Sequence, residues 1–250
     1  MPTNRPLIFV DLDDTLFQTA RKMHPDAERH AATLDAHGRP NGFMNPIQRK
    51  FVSWLLESAD VVPVTARSVE VFGRVDIPFT QGAICSHGAV ILGANGKRDE
   101  PWHERMCATL ESFQKRLPAL SERTLAAGLE NEISLRGWVV TEYDLATYVV
   151  TKHNESCDSV LQLMGQCVFD EGLLDGMYTH RNGNNLAFLP NELNKRFAVQ
   201  EWIRRDIAAN GERPILGFGD SLSDLAFMSE CHWWGTPSVG QVAAKLSEHF

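Results

Sequence analysis

The chain has 250 residues, of which 43% are hydrophobic, and a formal net charge of −8 at pH 7. This length and apolar content are sufficient for one large globular domain or for two smaller ones. The acidic balance argues against broad binding to nucleic acid or to anionic membranes, because both favour basic protein surfaces. A phosphate group would have to be held by a local arrangement of donors.

The amino terminus lacks the apolar length of a targeting or membrane-spanning segment. Its first apolar run has four residues, whereas a signal-peptide core needs roughly 7 to 15 and a membrane span roughly 18. The five cysteines are widely spaced and form no CxxC pair. These features together predict a cytoplasmic protein with reduced thiols.

The first predicted element is a strand formed by "LIFV", which three acidic residues follow within four positions. An unbroken apolar run is typical of a strand buried on both faces of a parallel sheet. Asp11, Asp13 and Asp14 therefore follow its carboxyl end. Two like charges ~4 Å apart repel by roughly 4 kcal/mol at an effective dielectric near 20, so a cation is expected nearby.

The next segments predict a helix and a second strand. Asn45 can cap a helix whose first turn contains Pro46, and "DVVPV" predicts a strand that ends at Thr65. A strand, a helix and a strand with short links predict a parallel, right-handed crossover. The segment "GAICSHGAVIL" predicts one additional strand.

The last part of the chain repeats this pattern. A helix is predicted from Lys195 to Gly211, and a strand after Pro214 leads to Asp220. The two ends of the chain therefore predict an α/β core with a doubly wound, Rossmann-like parallel sheet.

The middle of the chain predicts an inserted domain. Thr65 and Lys195 are separated by 129 residues, whereas one strand–helix–strand unit takes about 30. The order in the insertion is a helix interrupted at Pro118, a hairpin that turns near Asp144, a second helix and a hairpin around "RNGN". We expect an α+β domain at residues 93–182, with the core formed by residues 1–92 and 183–250.

Ligands bind beyond the carboxyl ends of the strands in an open parallel sheet. Asp11, Thr65 and Asp220 each follow a predicted strand and should share that edge. Asp11 is the candidate nucleophile, because a carboxylate can attack phosphorus and form an aspartyl phosphate. Asp13 is the candidate general acid and base.

Hard oxygen ligands for magnesium are offered by Asp220 and Asp224. Thr65, Ala66 and Lys195 are the candidate phosphate-binding residues, since Lys195 begins a helix, where a side-chain cation and free backbone amides together attract an anion.

Four motifs in the same order resemble those of the haloacid dehalogenase superfamily: "DLDDTLF", "VVPVTARS", "ELNKRFAV" and "GFGDSLSDLAFM". The insertion resembles the large α+β cap of the branch that includes sucrose-phosphate, trehalose-phosphate, mannosyl-3-phosphoglycerate and Cof-type phosphatases. This resemblance implies that Mg2+ is bound by the Asp11 carboxylate, the Asp13 main-chain carbonyl and Asp220, with Asp224 beside Lys195. The branch often has Asn at two positions where this chain has Ser223 and His87.

Structural interpretations compete with these roles when each residue is taken singly. Thr65 could be an ordinary helix cap, Lys195 a solvated charge, and Asp14 is better explained as a turn residue. Most of the nine histidines fit exposed or packed positions, since none shows a metal-binding spacing. Possible contacts to a substrate are limited to a few residues in predicted loops and turns: Arg67, His87, Arg181 and Asn182, and more weakly His153, Asn154 and Asn184.

The motifs and the insertion predict a magnesium-dependent phosphatase that acts on a small phosphorylated metabolite, such as a sugar phosphate. A phosphomutase or phosphotransferase would share every core residue and would differ in its product. A receiver domain would be about half this length and would need no inserted domain. A metal-dependent glycosyltransferase can also carry a DxD pair, but it would lack partners equivalent to Lys195 and "GDSLSD". A catalytically silent binding protein is least consistent with intact Asp11 and Asp13.

Overall fold

The structure, a computed structural model, describes residues 5–155, 157–182 and 184–248, apart from the side chains of Asp158 and Asn182. The chain folds into two compact units. One comprises the segments up to Glu100 and from Asn194, and the other comprises Pro101–Leu193. We refer to them as the core unit and the inserted unit.

A four-stranded parallel sheet forms the centre of the core unit. Its strands are β1 (Leu7–Val10), β4 (Asp60–Pro63), β11 (Ile215–Phe218) and β12 (Trp233–Gly235), in the order β12-β11-β1-β4. All four residues of β1 are buried, as the apolar run predicted for a strand covered on both faces.

Helices accompany these strands in the core unit. They are α1 (Pro46–Ser58), α2 (Val69–Phe72), α6 (Lys195–Asn210), α7 (Leu225–Met228) and α8 (Gln241–Ser247). The predicted start of α1 is confirmed, because the Asn45 side chain accepts from the backbone N–H of Gln48 while the Gln48 side chain accepts from the backbone N–H of Asn45. Two reciprocal hydrogen bonds of this kind satisfy donors that the helix itself leaves free.

The link between β1 and α1 is longer than predicted. An antiparallel hairpin, β2 (His30–Leu34) and β3 (Pro40–Met44), lies between them, so the prediction of short links was wrong here. The backbone N–H of Asp35 donates to the carbonyl of Arg39, and the Asp35 side chain accepts from the backbone N–H groups of His37 and Arg39. The local signal for this hairpin is an Asp-initiated turn between two short apolar runs.

The segment predicted as one additional strand forms two. β5 (Ala83–Cys85) and β6 (Val90–Leu92) pair in antiparallel fashion and are joined by a single 3-10 turn at Ser86–Gly88. Ser86, His87 and Gly88 all have positive φ values, and this left-handed backbone reverses the chain direction. A parallel bridge between Val64 and Ile84 connects β5 to the end of β4.

The inserted unit is an α+β arrangement, as predicted. Its helices are α3 (Glu100–Thr109), α4 (Arg116–Glu130) and α5 (Asp158–Asp170), and its strands are β7 (Leu135–Glu142), β8 (Leu145–His153), β9 (Met177–Asn182) and β10 (Asn185–Pro190). The strands form an antiparallel sheet in the order β7-β8-β10-β9. Tyr143 and Asp144 have positive φ values in the predicted hairpin turn.

Two details of the inserted unit differ from the sequence-based expectation. Pro118 lies in the first turn of α4, where a missing backbone N–H is tolerated, instead of interrupting a helix. The units divide after Glu100 and before Asn194, and not at residues 93 and 182. Residues 93–99 belong to the core unit, because they form a turn that is hydrogen-bonded to β6 and because Asp99 forms an ion pair with Arg205 of α6. Strand β10 belongs to the inserted unit, because it pairs within the sheet of that unit.

Two further features of the described residues concern the cysteines and the length of the helices. All five cysteines are free thiols. Within residues 5–155, 157–182 and 184–248, none of the helices combines the length and the apolar character needed to cross a membrane.

Candidate active site

The strand register brings the predicted site residues to one edge of the core sheet. Val10 is paired with Pro63 on one side and with Phe218 on the other. Asp11 therefore follows the central strand, between the segments that lead to Thr65 and to Asp220. Its backbone N–H donates to the carbonyl of Phe218 at 2.8 Å. This edge is the carboxyl end of a parallel sheet, where ligands bind in open α/β folds.

Lys195 supplies the cation that the acidic motif required. Its Nζ lies 2.6 Å from Asp11 Oδ1 and 2.6 Å from Asp224 Oδ1, and all three side chains are buried. The residue does begin a helix, as predicted, with Asn194 as the cap. Its side chain contacts two carboxylates, so Lys195 is not a solvated surface charge.

Thr15 connects the two aspartates that end neighbouring strands. Its Oγ1 lies 3.3 Å from Asp11 Oδ2 and 3.4 Å from Asp220 Oδ1, and Thr15 is buried. Asp11 thus presents one oxygen to Lys195 and the other towards Thr15 and Asp220. Asp11 and Asp220 face the same small space.

The "GDSLSD" segment forms a tight turn around Asp224. Asp224 Oδ2 accepts from the backbone N–H of Ser221 at 3.0 Å and from its Oγ at 2.7 Å, and the Ser221 and Ser223 hydroxyls lie 2.8 Å apart. A Cβ atom on Gly219 would lie 2.5 Å from the Asp224 Cβ, so this turn requires glycine. Ser223 therefore supports the turn through Ser221.

The electrostatics of this cluster are dominated by burial and by like charges. Burial, with the charge of Asp224, raises the pKa of Asp220 from 3.8 to about 7. Burial also raises the pKa of Asp11, although Lys195 acts in the opposite direction. Burial alone would lower the pKa of Lys195, but Asp11 and Asp224 together raise it. Lys195 is therefore held as an ammonium ion.

The donor set fits a divalent cation of the Mg2+ type. Ligand oxygens of Asp11, Asp220 and Asp224 lie within 4.8 Å of one another, and all three residues are buried. Three buried carboxylates face one buried ammonium group, so the ionised cluster retains excess negative charge. Because both oxygens of Asp224 are already hydrogen-bonded, Asp11 and Asp220 are the better candidates to hold an ion. Hard carboxylate oxygens suit Mg2+.

Thr65 and Arg67 connect the second motif to Asp13. Thr65 is buried and its Oγ1 accepts from the backbone N–H of Arg67 at 3.1 Å, whereas the cap of α2 is Ser68. Arg67 Nε and Nη2 each lie 2.7 Å from one oxygen of Asp13, and Arg67 Nη1 donates to Thr33 Oγ1 at 3.1 Å. Arg67 was predicted to contact a substrate, but its guanidinium group forms an ion pair with Asp13.

Asp14 is a turn residue. Its φ of 63° is in the left-handed region, which Asp tolerates better than most residues, and its side chain forms an ion pair with Lys22. The structure therefore separates the three acids of the first motif. Asp11 is buried beside Lys195, Asp13 pairs with Arg67, and Asp14 pairs with Lys22.

The turn at Ser86–Gly88 lies between the second and third motifs. The backbone N–H of His87 donates to the carbonyl of Thr65 at 3.1 Å, and that of Ser86 donates to the carbonyl of Arg67 at 2.8 Å. On the other side, a Cβ atom on Gly88 would lie 2.7 Å from the carbonyl oxygen of Asn194. His87 itself is buried.

The residues of the inserted unit that were predicted to contact a substrate lie in different environments. Arg181 is exposed and its Nη1 donates to Gln162 Oε1 of α5 at 3.0 Å. The Asn182 side chain lies outside what the structure describes. Asn184 donates to the carbonyl of His153 and accepts from its backbone N–H, so it joins β8 to the β9–β10 turn.

Sequence reasoning missed Thr15, the Arg67–Asp13 pair and the constraint at Gly88. The local signal for Thr15 is its place in the quoted segment "DLDDTLF", four residues after Asp11. The Arg67–Asp13 pair joins residues 54 positions apart and has no local signal.

Comparisons with known proteins bear on the fold. A scan against protein-family models and a search of curated proteins gave no match. Among solved structures, the chain is similar to the C-terminal domain of C. albicans trehalose-6-phosphate phosphatase, with 13% identity and a TM-score of 0.60 over 90% of this chain and 73% of that chain.

Two further structures cover nearly the whole chain. A Thermoplasma acidophilum protein has 12% identity and a TM-score of 0.57 over 98% of this chain and 89% of that chain. A haloacid dehalogenase-like hydrolase from Bacteroides thetaiotaomicron has 10% identity and a TM-score of 0.50 over 98% of this chain and 100% of that chain. The chain therefore has the fold of these proteins, and the predicted fold class, an α/β core with an inserted α+β unit, is confirmed.

Proposed function

We propose that this chain, which has the fold of a haloacid dehalogenase-like hydrolase, is a magnesium-dependent phosphatase that hydrolyses a small sugar phosphate through an aspartyl-phosphate intermediate. The observation that carries the proposal is the buried cluster of Asp11, Lys195, Asp220 and Asp224 at the carboxyl edge of the core sheet. The similarity to proteins described as a trehalose-6-phosphate phosphatase and a haloacid dehalogenase-like hydrolase supports it at the level of fold.

In the first half of the proposed reaction, an Asp11 oxygen attacks phosphorus and the bond between phosphorus and the leaving oxygen breaks. Asp13 donates its proton to that oxygen, so the alcohol leaves neutral. Asp11 then carries the phosphoryl group as a mixed anhydride. The 47% exposure of the Asp13 side chain makes it accessible to a substrate, whereas Asp11 is nearly enclosed.

In the second half, water attacks phosphorus and the bond to the Asp11 oxygen breaks. Asp13 accepts the proton of that water, which returns both carboxyl groups to their starting states. Lys195 and Thr65, with the backbone at Ala66, are proposed to bind the phosphoryl oxygens. Mg2+ held by Asp11, Asp220 and the Asp13 carbonyl would supply positive charge that offsets the negative charge of the phosphoryl group.

The proposal is tested by assaying phosphate release from p-nitrophenyl phosphate and from a panel of hexose and disaccharide phosphates, with Mg2+ or with EDTA. Wild-type protein should release free phosphate only with the metal. Asp11→Asn should reduce the rate by several orders of magnitude, because an amide is a poor nucleophile.

The matched control is Asp26→Asn, which removes a carboxylate that is exposed. It should retain the wild-type rate. Equal rates in wild-type and Asp11→Asn protein, both shown to be folded by circular dichroism, would end the proposal. A phosphosugar isomer in place of free phosphate would favour the mutase or phosphotransferase alternative.

A further inference from the structure

Helix α1 exposes two large apolar side chains on its solvent side. Its buried residues are Val52 and Leu55, whereas Ile47 is 78% exposed and Trp54 is 52% exposed. Ile47 and Trp54 are seven residues apart, which is about two helical turns, so they lie on the same side of α1. Polar residues normally occupy the solvent side of an amphipathic surface helix. This side of α1 therefore departs from the ordinary pattern.

The apolar surface continues from α1 to the core sheet. The centre of the Phe51 ring lies 5.8 Å from that of Trp54 and 5.6 Å from that of Phe218 in β11. A cavity of about 500 Å³ is lined by, among others, Ile47, Phe51, Phe218 and Val239. We call Ile47, Phe51, Trp54, Phe218 and Val239 the apolar patch. Contiguous exposed apolar patches mark interaction surfaces, whereas scattered apolar residues do not.

One basic and one acidic residue flank Trp54 on the exposed side of α1. Lys50 lies four residues before Trp54 and Glu57 lies three residues after it, so the three side chains are neighbours on one side of the helix. Lys50 and Glu57 are both exposed, and within residues 5–155, 157–182 and 184–248 neither of them forms an ion pair. They are about 10 Å apart along the helix axis, so they do not pair with each other. Each charge is available to an opposite charge on another molecule.

We propose that α1 is the centre of a symmetric interface between two copies of this chain. When two identical helices pack antiparallel about a two-fold axis, each contact occurs twice. An axis beside Ser53 and Trp54 places Lys50 of each copy level with Glu57 of the other, because both residues are equally distant from the midpoint between positions 53 and 54. The charge pattern of α1 is therefore complementary to itself, and two ion pairs between the copies flank the two Trp54 rings.

A groove beside α1 supplies space for Trp54 of the second copy. It has a volume of about 480 Å³ and is lined by, among others, Arg49, Lys50 and Ser53. Guanidinium and ammonium groups bind the face of an indole ring. Tryptophan at the centre of an interface commonly contributes a large share of the binding energy. The inference is independent of the proposed phosphatase function, because it uses no residue of the buried acidic cluster.

Sedimentation velocity of charge variants tests this interface. Wild-type protein at about 100 µM should sediment as a dimer. Lys50→Glu and Glu57→Lys should each raise the dissociation constant of the dimer by about tenfold or more, because each places like charges opposite one another. The double variant with both substitutions restores opposite charges and should return the dissociation constant to within about threefold of the wild-type value.

Two further variants complete the experiment. Lys97→Glu is the matched control, because it makes the same change of net charge at an exposed lysine outside α1 and should leave the dissociation constant unchanged. Trp54→Ala should raise the dissociation constant by about tenfold or more. Circular dichroism should show the wild-type helical content in every variant, since all the substituted side chains are exposed.

Three results would overturn the inference. Wild-type protein that remains monomeric at about 100 µM would assign the apolar patch to a different partner. A dimer that Lys50→Glu and Lys97→Glu affect equally would be formed by another surface. A double variant that dimerises as weakly as Lys50→Glu alone would show that Lys50 and Glu57 do not face each other across the interface.

Discussion

Arg67 holds Asp13 at two points, with Nε 2.7 Å from Oδ2 and Nη2 2.7 Å from Oδ1. Arg67 is itself fixed by Thr33 Oγ1 of β2 and by the Phe17 ring, whose centre lies 5.0 Å from the guanidinium carbon. The proposed general acid and base is thus oriented by a residue of the second motif. A two-point ion pair of this type fixes the orientation of the Asp13 carboxyl group, which proton transfer to and from Asp13 requires.

Replacing Arg67 should slow the second half of the proposed reaction most with p-nitrophenyl phosphate, because its leaving group needs little protonation in the first half. We expect Arg67→Met to lower kcat by about tenfold or more, because Asp13 loses both orientation and a stabilising charge. The kcat of Arg67→Lys should lie between those of wild-type and Arg67→Met protein, since lysine keeps the positive charge but cannot form both hydrogen bonds of the guanidinium group. Rapid-quench measurements with p-nitrophenyl phosphate should show a burst of nitrophenol in Arg67→Met, and a slower first turnover without a burst would contradict this role.

Lys195 should matter for stability as well as for activity. Lys195→Met leaves Asp11 and Asp224 buried without their shared cation, which should lower the free energy of unfolding by about 3–5 kcal/mol in metal-free protein. Urea denaturation measures this change. Lys245→Met is the control, because the Lys245–Glu248 pair is exposed and should contribute little. Comparable losses in the two variants would show that the buried cluster does not need its ammonium group.

Gly88 should be necessary for the position of Lys195. Alanine at this position meets the Asn194 carbonyl oxygen at 2.7 Å and the Lys195 backbone nitrogen at 3.3 Å, so the beginning of α6 must shift. We expect Gly88→Ala to reduce phosphate release by about tenfold or more, since small displacements of catalytic groups are costly.

Gly96 provides the control for Gly88. Its φ of 72° is also positive, but no atom lies within 4 Å of a Cβ built there. Gly96→Ala should therefore lose about 1–2 kcal/mol of stability from backbone strain and keep its activity. If Gly88→Ala and Gly96→Ala are equally active, contact with α6 is not what requires glycine at residue 88.

The raised pKa of Asp220 predicts how stability depends on pH. With a pKa of about 7 in the folded, metal-free protein against 3.8 ordinarily, the folded state keeps a proton that the unfolded chain releases between those values. The contribution of Asp220 to the free energy of unfolding should therefore decrease as pH rises from about 4 to about 7 and stay low above that range.

Mg2+ should reverse this loss, because it binds the ionised carboxylates. We expect the increase in Tm on adding Mg2+ to be larger at about pH 8 than at about pH 5. Asp220→Asn should flatten the pH dependence of the metal-free protein and weaken the response to Mg2+. Thermal denaturation across this range tests both statements, and an unchanged pH profile in Asp220→Asn would exclude Asp220 as the source.

Local pattern was sufficient to predict most of the core and the inserted unit. The apolar run of β1, the Asn45–Pro46 start of α1, and the helix from Lys195 to Gly211 each reflect rules that act within a few residues. The hairpin around "RNGN" and the hairpin turn at Asp144 also depend on local backbone preferences. The hairpin between β1 and α1 escaped prediction, because its strands are short and interrupted by register shifts.

The tertiary structure determines which charged side chains contact each other. Motif order predicted that Asp11, Thr65 and Asp220 share an edge, since parallel strands end on one side of a sheet. The family resemblance implied that Asp224 lies beside Lys195. Motif order did not indicate that Lys195 would also touch Asp11, that Thr15 would lie between Asp11 and Asp220, or that Arg67 would hold Asp13. Such contacts join residues far apart in the chain, and they depend on distances of a few ångströms that only the packed strands and helices set.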